Sequence, residues 1–405
     1  MIWGWVKRKT FTGAEKLHRL GALNNIVICQ KSKIDDWVDH FREHYADEYT
    51  VYDLTKPKEF TLFLQHARVA DDDLPRSLGV INYELAFRRP DLLKVKDFTL
   101  MLDESSMIQN EQAKRSKFIL KMKPTNVILL SGTPTGGKYE TLWSQLHLLG
   151  WDIKKTLYWS QYVDVEVRDM GGFPLKIIRG YKNVERLKRK MDQYGCRFLK
   201  TDEVFNLPDQ IDQKIRVPSS PEYKKFRKEA IVTLKDTNTV LVGDTSLTKM
   251  LYERQLCGAY SEEKYEAFRD LLESSSDRLI VFYNFDAELE RLTSTVEASG
   301  RPISVVNGHK KDLTNYEKHD NSVTLIQYQA GAMGLNLQKS RRICYFTPPL
   351  SSELFEQSKK RTHRLGQTQT CFYYYLTVTG SVEEKIYKTL SMRRDYTERL
   401  FEKGE

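Results

Sequence analysis

Short, continuous apolar runs recur along the chain and are separated by amphipathic segments. In the N-terminal half these runs predict buried strands at residues 25–29, 78–83, 98–103 and 126–131. In the C-terminal half similar runs predict strands at residues 278–283, 304–306, 323–327 and 342–346. Apolar strands that alternate with helical segments, such as residues 34–45, are typical of parallel sheets covered on both faces. The sequence therefore predicts an α/β fold.

The two groups of strands predict two domains. A more polar stretch from about residue 151 to residue 275 lies between them and contains chain breaks, such as Gly171-Gly172 and Pro208. We place the boundary at Asn206, which gives domains of residues 1–205 and 206–405. With 405 residues, 40% of them hydrophobic, the chain is long enough to bury two cores.

Composition narrows the classes of protein to consider. The 64 lysines and arginines exceed the 55 acidic residues and give a net charge of +9. That excess suits a polyanionic partner, although a solvated basic surface explains it equally well. The five cysteines are scattered without C-x-x-C spacing, which argues against zinc sites and disulfide frameworks. No apolar run has the length of a membrane span or secretory leader, so we expect a cytoplasmic protein without membrane contact.

Polar motifs directly follow two of the predicted strands. Asp103 and Glu104 end one strand, and Ser131-Gly132-Thr133-Pro134 ends the next. Functional groups in open parallel sheets gather at the carboxyl ends of strands. One carboxylate there can hold Mg²⁺ while the other polarises an attacking water, although an acidic pair can also simply cap a helix. The second polar motif at the same edge favours the catalytic interpretation.

In form and order, these two motifs resemble the second and third motifs of superfamily 2 helicases and translocases. Near the C-terminus, the chain resembles the Swi/Snf-type branch at Gln357, Arg361, Arg364, Gly366 and Gln367. If this segment is helical, positions 357, 361 and 364 share one face, and both guanidinium groups can reach a γ-phosphate. A basic helix face that makes surface salt bridges is the alternative interpretation.

The resemblance extends over nearly the whole chain, from about residue 25 to residue 390, and is greatest with compact phage-encoded members. It implies two RecA-like domains, each a mainly parallel sheet flanked by helices. It also implies a DNA-dependent ATPase motor, a helicase or translocase that couples ATP hydrolysis to movement on DNA. The implied cofactors are ATP and Mg²⁺, and the implied partner is DNA, most simply a duplex. A phage-encoded protein would act in the host cytoplasm.

The resemblance further implies roles for single residues. Asp103 and Thr10 would hold Mg²⁺, Glu104 would act as general base, and Arg361 and Arg364 would stabilise charge on the transferred phosphoryl group. The residues implied to bind ATP are Lys9, Thr10, Gly334 and Gln357. The residues implied to couple the nucleotide to nucleic acid, or to contact it, are Ser131, Gly132, Thr133, Lys31, Asn82, Tyr83, Gly331 and Asn336. A lysine after a strand, such as Lys31, is as often an ordinary solvated residue.

The phosphate-binding loop departs from the family pattern. The family requires glycines before Lys-Thr or Lys-Ser, because backbone N–H groups must curl around the phosphates. Lys9 and Thr10 occupy the expected place, ahead of a helical segment at residues 11–20, but Trp3 and Arg8 stand where glycines are required. The strand that should precede the loop is absent as well. We therefore expect an incomplete first strand and phosphate loop, with poor ATP binding.

The genetic code suggests an origin for this departure. Read two bases out of frame, the codons of residues 1–8 are compatible with Asp-Met-Gly-Leu-Gly-Lys-Thr, a phosphate-loop sequence of this family. We hypothesise that a frameshift near residues 6–10 separated the true N-terminus from this reading frame and left the N-terminal region disrupted or truncated. The nucleotide sequence can test this hypothesis. The alternative to a motor is a non-hydrolysing nucleic-acid-binding remnant without a working phosphate loop.

Overall fold

The computed structural model describes residues 2–4, 9–69, 71, 73–132, 134–169, 174–199, 207–234, 238–331, 335–364 and 366–401. Contacts within the chain divide it into two compact units. One comprises Met1–Phe205 with Asp395–Glu405, and the other comprises Asn206–Arg394. Each unit contains its own sheet and flanking helices, and the predicted α/β fold class is confirmed.

The first unit is built on a parallel sheet. Its strands are β1 (Ile2–Gly4), β2 (Asn24–Cys29), β3 (Tyr49–Asp53), β4 (Arg76–Asn82), β5 (Phe98–Asp103) and β6 (Asn126–Ser131), together with β9 (Arg197–Leu199), while β7 (Val163–Asp169) and β8 (Pro174–Tyr181) form a separate antiparallel hairpin. The sheet order is β3-β4-β2-β5-β6-β1-β9. Every pairing in that sheet is parallel, so the carboxyl ends of its strands lie along one edge. The four strands predicted in this half of the chain are confirmed.

Helices cover this sheet. They are α1 (Lys9–Leu20), α2 (Ile34–His44), α3 (Pro57–Val69), α4 (Tyr83–Ala86), α5 (Lys114–Ile119), α6 (Trp143–Leu148), α7 (Lys155–Tyr162) and α8 (Val184–Gln193). Short 3₁₀ helices lie at Lys31–Lys33, Pro90–Lys94, Ser105–Ile108 and Tyr139–Leu142. All six residues of β2 are buried, which is the burial expected of a central parallel strand with helices on both faces.

Gly13 of helix α1 faces side chains of the sheet at close range. A Cβ atom at this position would lie 2.7 Å from Leu130 Cδ1 and 3.0 Å from Met101 Sδ. A larger residue would therefore push the helix away from β5 and β6. This close packing sets the position of Lys9, the first residue of the helix.

The prediction that no strand precedes the phosphate loop is wrong. The backbone of Ile2–Gly4 forms β1, in which Ile2 pairs with Leu130 of β6 and also with Arg197 of β9. Three residues give no apolar run long enough to be recognised in the sequence, but neighbours on both sides supply the backbone hydrogen-bond partners. Residues 5–8, which include Arg8, lie outside the described residues.

The second unit contains a similar sheet. Its strands are β10 (Gln210–Val217), β13 (Leu279–Tyr283), β14 (Ile303–Val306), β15 (Lys311–Asp312), β16 (Val323–Gln327), β17 (Arg342–Tyr345) and β18 (Cys371–Val378), while β11 (Ile231–Thr233) and β12 (Val240–Val242) form a separate antiparallel hairpin. The order is β10-β18-β17-β13-β16-β14-β15, and the pairings are parallel apart from that of β14 with β15. The four strands predicted in this half are also confirmed.

The helices of the second half of the chain follow the same alternation. They are α9 (Pro221–Glu229), α10 (Ser246–Cys257), α11 (Glu262–Glu273), α12 (Asp286–Ala298), α13 (Thr314–Lys318), α14 (Tyr328–Gly331), α15 (Ser352–Lys359) and α16 (Val382–Phe401). In the part of the chain that the structure describes, no helix combines the length and the apolar character that a bilayer span requires.

Candidate functional site

Four candidate segments of the first unit meet at the carboxyl edge of its sheet. Strand β4 ends at Asn82, β5 ends at Asp103 and β6 ends at Ser131. These strands are parallel, because β4 and β5 both pair in parallel with β2, and β6 pairs in parallel with β5. The side chain at the start of α1 also reaches this edge, because Lys9 Nζ lies 3.0 Å from Glu104 Oε1. The sheet topology therefore gathers residues that are far apart in the sequence.

Asp103 is half-buried at this edge, and its charge there is poorly solvated. Burial and the neighbouring Glu104 carboxylate raise the pKa of Asp103, while Lys9 and a hydrogen bond from Trp37 oppose that rise. The Trp37 indole Nε1 donates to Asp103 Oδ2 at 3.0 Å and fixes one of the two carboxylate oxygens. A buried carboxylate beside a second carboxylate is an environment that a bound cation would stabilise.

Glu104 adopts the left-handed backbone conformation, with φ 55° and ψ 59°. Successive side chains of an extended strand point to opposite faces, so a continued strand would separate the Asp103 and Glu104 carboxylates. The left-handed turn ends β5 and begins the 3₁₀ helix Ser105–Ile108. Such a conformation is strained for a residue other than glycine, and strain of this kind is concentrated at functional sites.

Tyr83 stabilises the left-handed turn at Glu104 through its hydroxyl group. Its hydroxyl donates to the Asp103 carbonyl oxygen at 2.9 Å and to the Glu104 carbonyl oxygen at 3.3 Å. Tyr83 is fully buried, and Asn82 beside it is nearly so, with its Nδ2 donating to Glu84 Oε2. The role predicted for both residues, contact with nucleic acid or its coupling to the nucleotide, stays a prediction. In the structure the Tyr83 side chain holds the backbone of the acidic pair.

The loop after β6 is tied to the segment after β5 through two glutamines. Gln145 Nε2 and Gln109 Nε2 each donate to the Pro134 carbonyl oxygen at 2.8 Å. Ser105 Oγ donates to Gln145 Oε1 at 2.8 Å, which joins the residue after Glu104 to the same glutamine. Ser131 and Gly132 are buried at the start of this loop. These hydrogen bonds therefore connect the segment that follows the acidic pair with the loop after β6.

Three other predicted residues of the first unit are less constrained or lie outside the description. Thr10 is half-buried in the first turn of α1, and Lys31 is exposed in the 3₁₀ helix Lys31–Lys33 after β2. Thr133 lies outside the described residues.

The acidic pair Asp103 and Glu104, at the carboxyl edge of the first sheet, suits a ligand that consists of Mg²⁺ and a nucleotide. Within the described ranges, Glu104 Oε2 is buried and lacks a hydrogen-bond partner, although its other oxygen pairs with Lys9. No cluster of three or more histidine, cysteine or acidic side chains suited to a metal occurs in that same part of the chain. Mg²⁺ needs no such cluster, because it is commonly bound through one or two carboxylates and the phosphates of its nucleotide.

In the second unit, the prediction that Gln357, Arg361 and Arg364 share one helical face is wrong. Helix α15 ends at Lys359, so only Gln357 is helical, and its Nε2 donates to Glu353 Oε1 at 3.3 Å. The Lys359 carbonyl oxygen at this helix end accepts from the Tyr373 hydroxyl at 3.1 Å, so a strand residue satisfies one of the carbonyl groups that a helix end leaves without an intrahelical partner.

The two arginines lie in the turn that follows α15. The Arg361 amide donates to the Ser358 carbonyl oxygen at 3.2 Å, and the Arg364 amide donates to the Thr362 carbonyl oxygen at 3.1 Å. Both arginine residues are half-buried, and burial lowers the pKa of Arg364. A guanidinium group in a partly desolvated position is available to an anionic ligand.

The remaining predicted residues of the second unit follow β16 in the sequence. Gly331 ends α14, which follows β16 directly, and Asn336 is exposed. Gly334 lies outside the described residues.

Sequence reasoning missed the residues that position the acidic pair. Trp37 has the local pattern of a core residue and is 1% exposed, but nothing in that pattern indicates the hydrogen bond to Asp103. Gln145 did carry a signal, because it is a polar residue between the apolar positions Leu142 and Leu146 of a helical segment. A fully buried amide of this kind must find hydrogen-bond partners.

Comparison with known proteins identifies related chains. Residues 1–262 match the family described as SNF2-related domain, and residues 263–366 match the helicase conserved C-terminal domain. The DNA repair and recombination protein RAD26 of Saccharomyces cerevisiae is 26% identical over 76% of this chain and 32% of its own length. The mouse DNA annealing helicase and endonuclease ZRANB3 is 25% identical over 76% of this chain and 30% of its own length.

Among solved structures, this chain matches the Sulfolobus solfataricus SWI2/SNF2 ATPase core in complex with dsDNA. It is 17% identical, with a TM-score of 0.42 over 98% of this chain and 87% of that chain. This chain spans about a third of the length of the curated relatives that it matches. Because the match over residues 1–262 covers more than half of the chain, the protein belongs to the SNF2-related family, with a helicase C-terminal domain in its second half.

Proposed function

We propose that this protein is a DNA-dependent ATPase motor that couples ATP hydrolysis to movement along duplex DNA. The observation that carries the proposal is the meeting of Lys9, Asp103 and Glu104 at the carboxyl edge of the first sheet. A lysine at the start of a helix and an acidic pair at the end of a strand are the groups that neutralise phosphates and hold their metal ion.

Each of these residues has a distinct proposed task. Asp103 would hold Mg²⁺, aided by the hydroxyl of Thr10, and Lys9 would neutralise the nucleotide phosphates. Bound Mg²⁺–ATP would supply the electrophilic phosphorus and screen its charge. Glu104, whose Oε2 is buried without a partner among the described residues, would accept the proton of the attacking water. The ion pair of Lys9 with Glu104 would have to open for the lysine to reach phosphate.

The proposed tasks of the second unit come from its match to the family motifs. Arg361 and Arg364 would place positive charge on the transferred phosphoryl group, and Gln357 and Gly334 would contact the nucleotide. Ser131 and Gly132, which lie where β6 passes into the following loop, would couple the nucleotide state to the DNA-binding surface. The bonds that Gln109 and Gln145 make to Pro134 support this coupling role, because they connect that loop to the acidic pair.

We also propose that the phosphate loop of this chain is disrupted. Trp3 and Arg8 replace the glycines that the family uses there, and bulky residues hinder a loop that must bring several N–H groups to one phosphate. This observation favours the second candidate function, a protein that binds nucleic acid without hydrolysing ATP. Both candidates keep the fold and its net charge of +9.

The deciding experiment measures ATP hydrolysis with and without duplex DNA. For a motor, DNA should stimulate hydrolysis, and Glu104→Gln should lower the stimulated rate by about 10²-fold or more, because the general base is lost. Glu43→Gln, at an exposed position of α2, is the matched control and should leave the rate unchanged. An unaltered rate in Glu104→Gln would show that the catalytic assignment is wrong.

Equilibrium binding separates the two candidates further. Titration with a fluorescent ATP analogue measures nucleotide affinity, and anisotropy of a labelled duplex measures DNA affinity. A chain that binds the duplex but neither binds nor hydrolyses ATP is the non-hydrolysing protein. Tight ATP binding would instead show that the phosphate loop works despite Trp3 and Arg8.

A further inference from the structure

Helix α15 ends on a lysine that is surrounded by aromatic rings. The Lys359 Nζ atom lies 5.2 Å from the ring centre of Phe355, 5.3 Å from that of Tyr373 and 5.5 Å from that of Tyr375. The side chain is 10% exposed, and Asp212 Oδ2 lies 3.5 Å from the ammonium group. The ring faces and this carboxylate together replace the water that the cation loses on burial.

Two tyrosine hydroxyls attach this end of the helix to the sheet, and a third orients the carboxylate beside Lys359. Ser358 Oγ bonds with the Tyr345 hydroxyl at 3.1 Å, and the Tyr373 hydroxyl donates to the Lys359 carbonyl oxygen at 3.1 Å. The Tyr375 hydroxyl donates to Asp212 Oδ1 at 2.9 Å and so orients the carboxylate that faces the ammonium group. These tyrosines belong to β17 and β18, which are rigid interior strands of the sheet.

The next five residues, 360–364, form a segment that we call the arginine turn because it carries Arg361 and Arg364. Its middle is held by Leu337, whose amide donates to the Arg361 carbonyl oxygen at 3.3 Å. Near its far end, the His363 side chain of the turn contacts the segment around β10. Its Nε2 lies 2.7 Å from the Pro208 carbonyl oxygen, and its Nδ1 lies 2.6 Å from Gln210 Nε2. Burial lowers the pKa of His363, so a neutral ring that donates through Nε2 and accepts through Nδ1 fits both contacts.

We propose that Lys359 is a positioning residue for Arg361 and Arg364. Its side chain links the last turn of α15 to three rings and to Asp212 on the edge strand β10, and it is the final helical residue before the arginine turn. The point at which the helix ends sets the direction in which the following residues leave it. A substitution of Lys359 should therefore change the positions of Arg361 and Arg364, although Lys359 itself would not touch a ligand. The proposal rests on the proposed motor function for its catalytic consequence, but its structural part is independent.

The test replaces Lys359 with methionine, which has a similar length, fits among aromatic rings and lacks the charge. Hydrogen exchange by mass spectrometry should show faster exchange of the Arg361 and Leu337 amides, by about tenfold, because the arginine turn opens more often. The amides of β13 should exchange as in the unaltered protein. Lys318→Met is the matched control, because this lysine is exposed on α13 of the same unit.

Kinetics then distinguish positioning from general destabilisation. Lys359→Met should lower kcat for DNA-stimulated hydrolysis by about tenfold while KM for ATP changes by less than about threefold. In a background of Arg361→Lys, the same substitution should cause little further loss, because Lys359 acts through the arginine. Lys359→Arg, which keeps the cation among the rings, should restore most of the rate.

Each outcome decides a separate point. Unchanged exchange in the arginine turn of Lys359→Met would overturn the proposal, and so would a loss of kcat that adds fully to that of Arg361→Lys. If the unaltered protein hydrolyses no ATP, the proposed motor function fails, while the exchange measurement still decides whether Lys359 holds the turn.

Discussion

Glu288 is a carboxyl group buried without a full set of partners. Its Oε2 accepts from the Asn284 and Phe285 amides at 2.8 and 3.1 Å and from Thr347 Oγ1 at 3.0 Å. Within the described ranges its Oε1 has no partner, and a Cβ atom added at Gly258 would lie 1.9 Å from that oxygen. Burial raises the pKa of Glu288 to about 7, although these hydrogen bonds and Lys264 oppose the rise.

This raised pKa predicts a loss of stability as the pH rises. The folded state holds the Glu288 proton up to about pH 7, whereas the unfolded chain releases it near 4.5, so stability falls between these values. The shift corresponds to roughly 3 kcal/mol. In Glu288→Gln this contribution is absent, and the free energy of unfolding should therefore fall less between pH 4.5 and pH 8.

Urea denaturation at several pH values measures this difference. Arg254, Lys264 and Glu383 also act on this buried region, but they are common to both proteins and cancel in the comparison. Glu290→Gln, on the exposed face of the same helix, is the control and should follow the unaltered protein. Parallel pH profiles for Glu288→Gln and the unaltered protein would show that Glu288 is ionised in the fold.

Helices α11 and α16 are joined by a buried ion pair. Lys264 Nζ lies 2.6 Å from Glu383 Oε1, and both side chains are at most 1% exposed. Glu383 Oε2 also accepts from the Val378 amide at 3.0 Å, so the pair extends to the end of β18. Removing one member leaves the other charge buried and uncompensated.

Lys264→Met should therefore destabilise the second unit by about 3–5 kcal/mol. The double substitution Lys264→Met with Glu383→Gln should cost less than the single one, because no isolated charge remains and the glutamine still accepts from Val378. Denaturant unfolding of the four proteins of this cycle measures both quantities. Additive losses would mean that the two charges do not stabilise each other.

At the level of elements, the sequence predicted best where apolar runs were long. Strands β5 and β6 were predicted at their observed bounds, because each is buried and ends in a polar motif. Strand β10 was missed because most of its residues are polar and exposed, as on a sheet edge. The end of α15 was not predicted, since contacts made there, such as the bond from the Tyr373 hydroxyl to the Lys359 carbonyl oxygen, come from a strand that follows later in the chain. Motif spacing identifies which residues act together but does not reveal such tertiary contacts.

At the scale of the whole molecule, the net charge of +9 becomes informative only once the family is known. The charge alone suits many proteins, but in the proposed DNA-dependent motor it would serve contact with DNA phosphates. Counterion release makes such binding salt-dependent, with a slope of about −0.9 per phosphate contact in a plot of log affinity against log salt. The slope therefore measures the number of phosphate contacts, and the effect of replacing a single lysine on the slope shows whether that lysine makes one.

Lys31 is the first residue to test in this way. It is exposed directly after β2, at the same edge of the sheet as Asp103, and no ion pair holds it within the described ranges, whereas Lys33 lies 2.5 Å from Asp36. If Lys31 contacts a phosphate, Lys31→Ala should weaken binding to all duplex sequences alike and reduce the salt slope by about one. Lys16→Ala, at an exposed position of α1, is the control and should leave the slope unchanged. Fluorescence anisotropy of a labelled duplex across a salt series measures both variants. An unaltered slope for Lys31→Ala would make Lys31 a solvated lysine and would place the DNA-binding surface elsewhere on the protein.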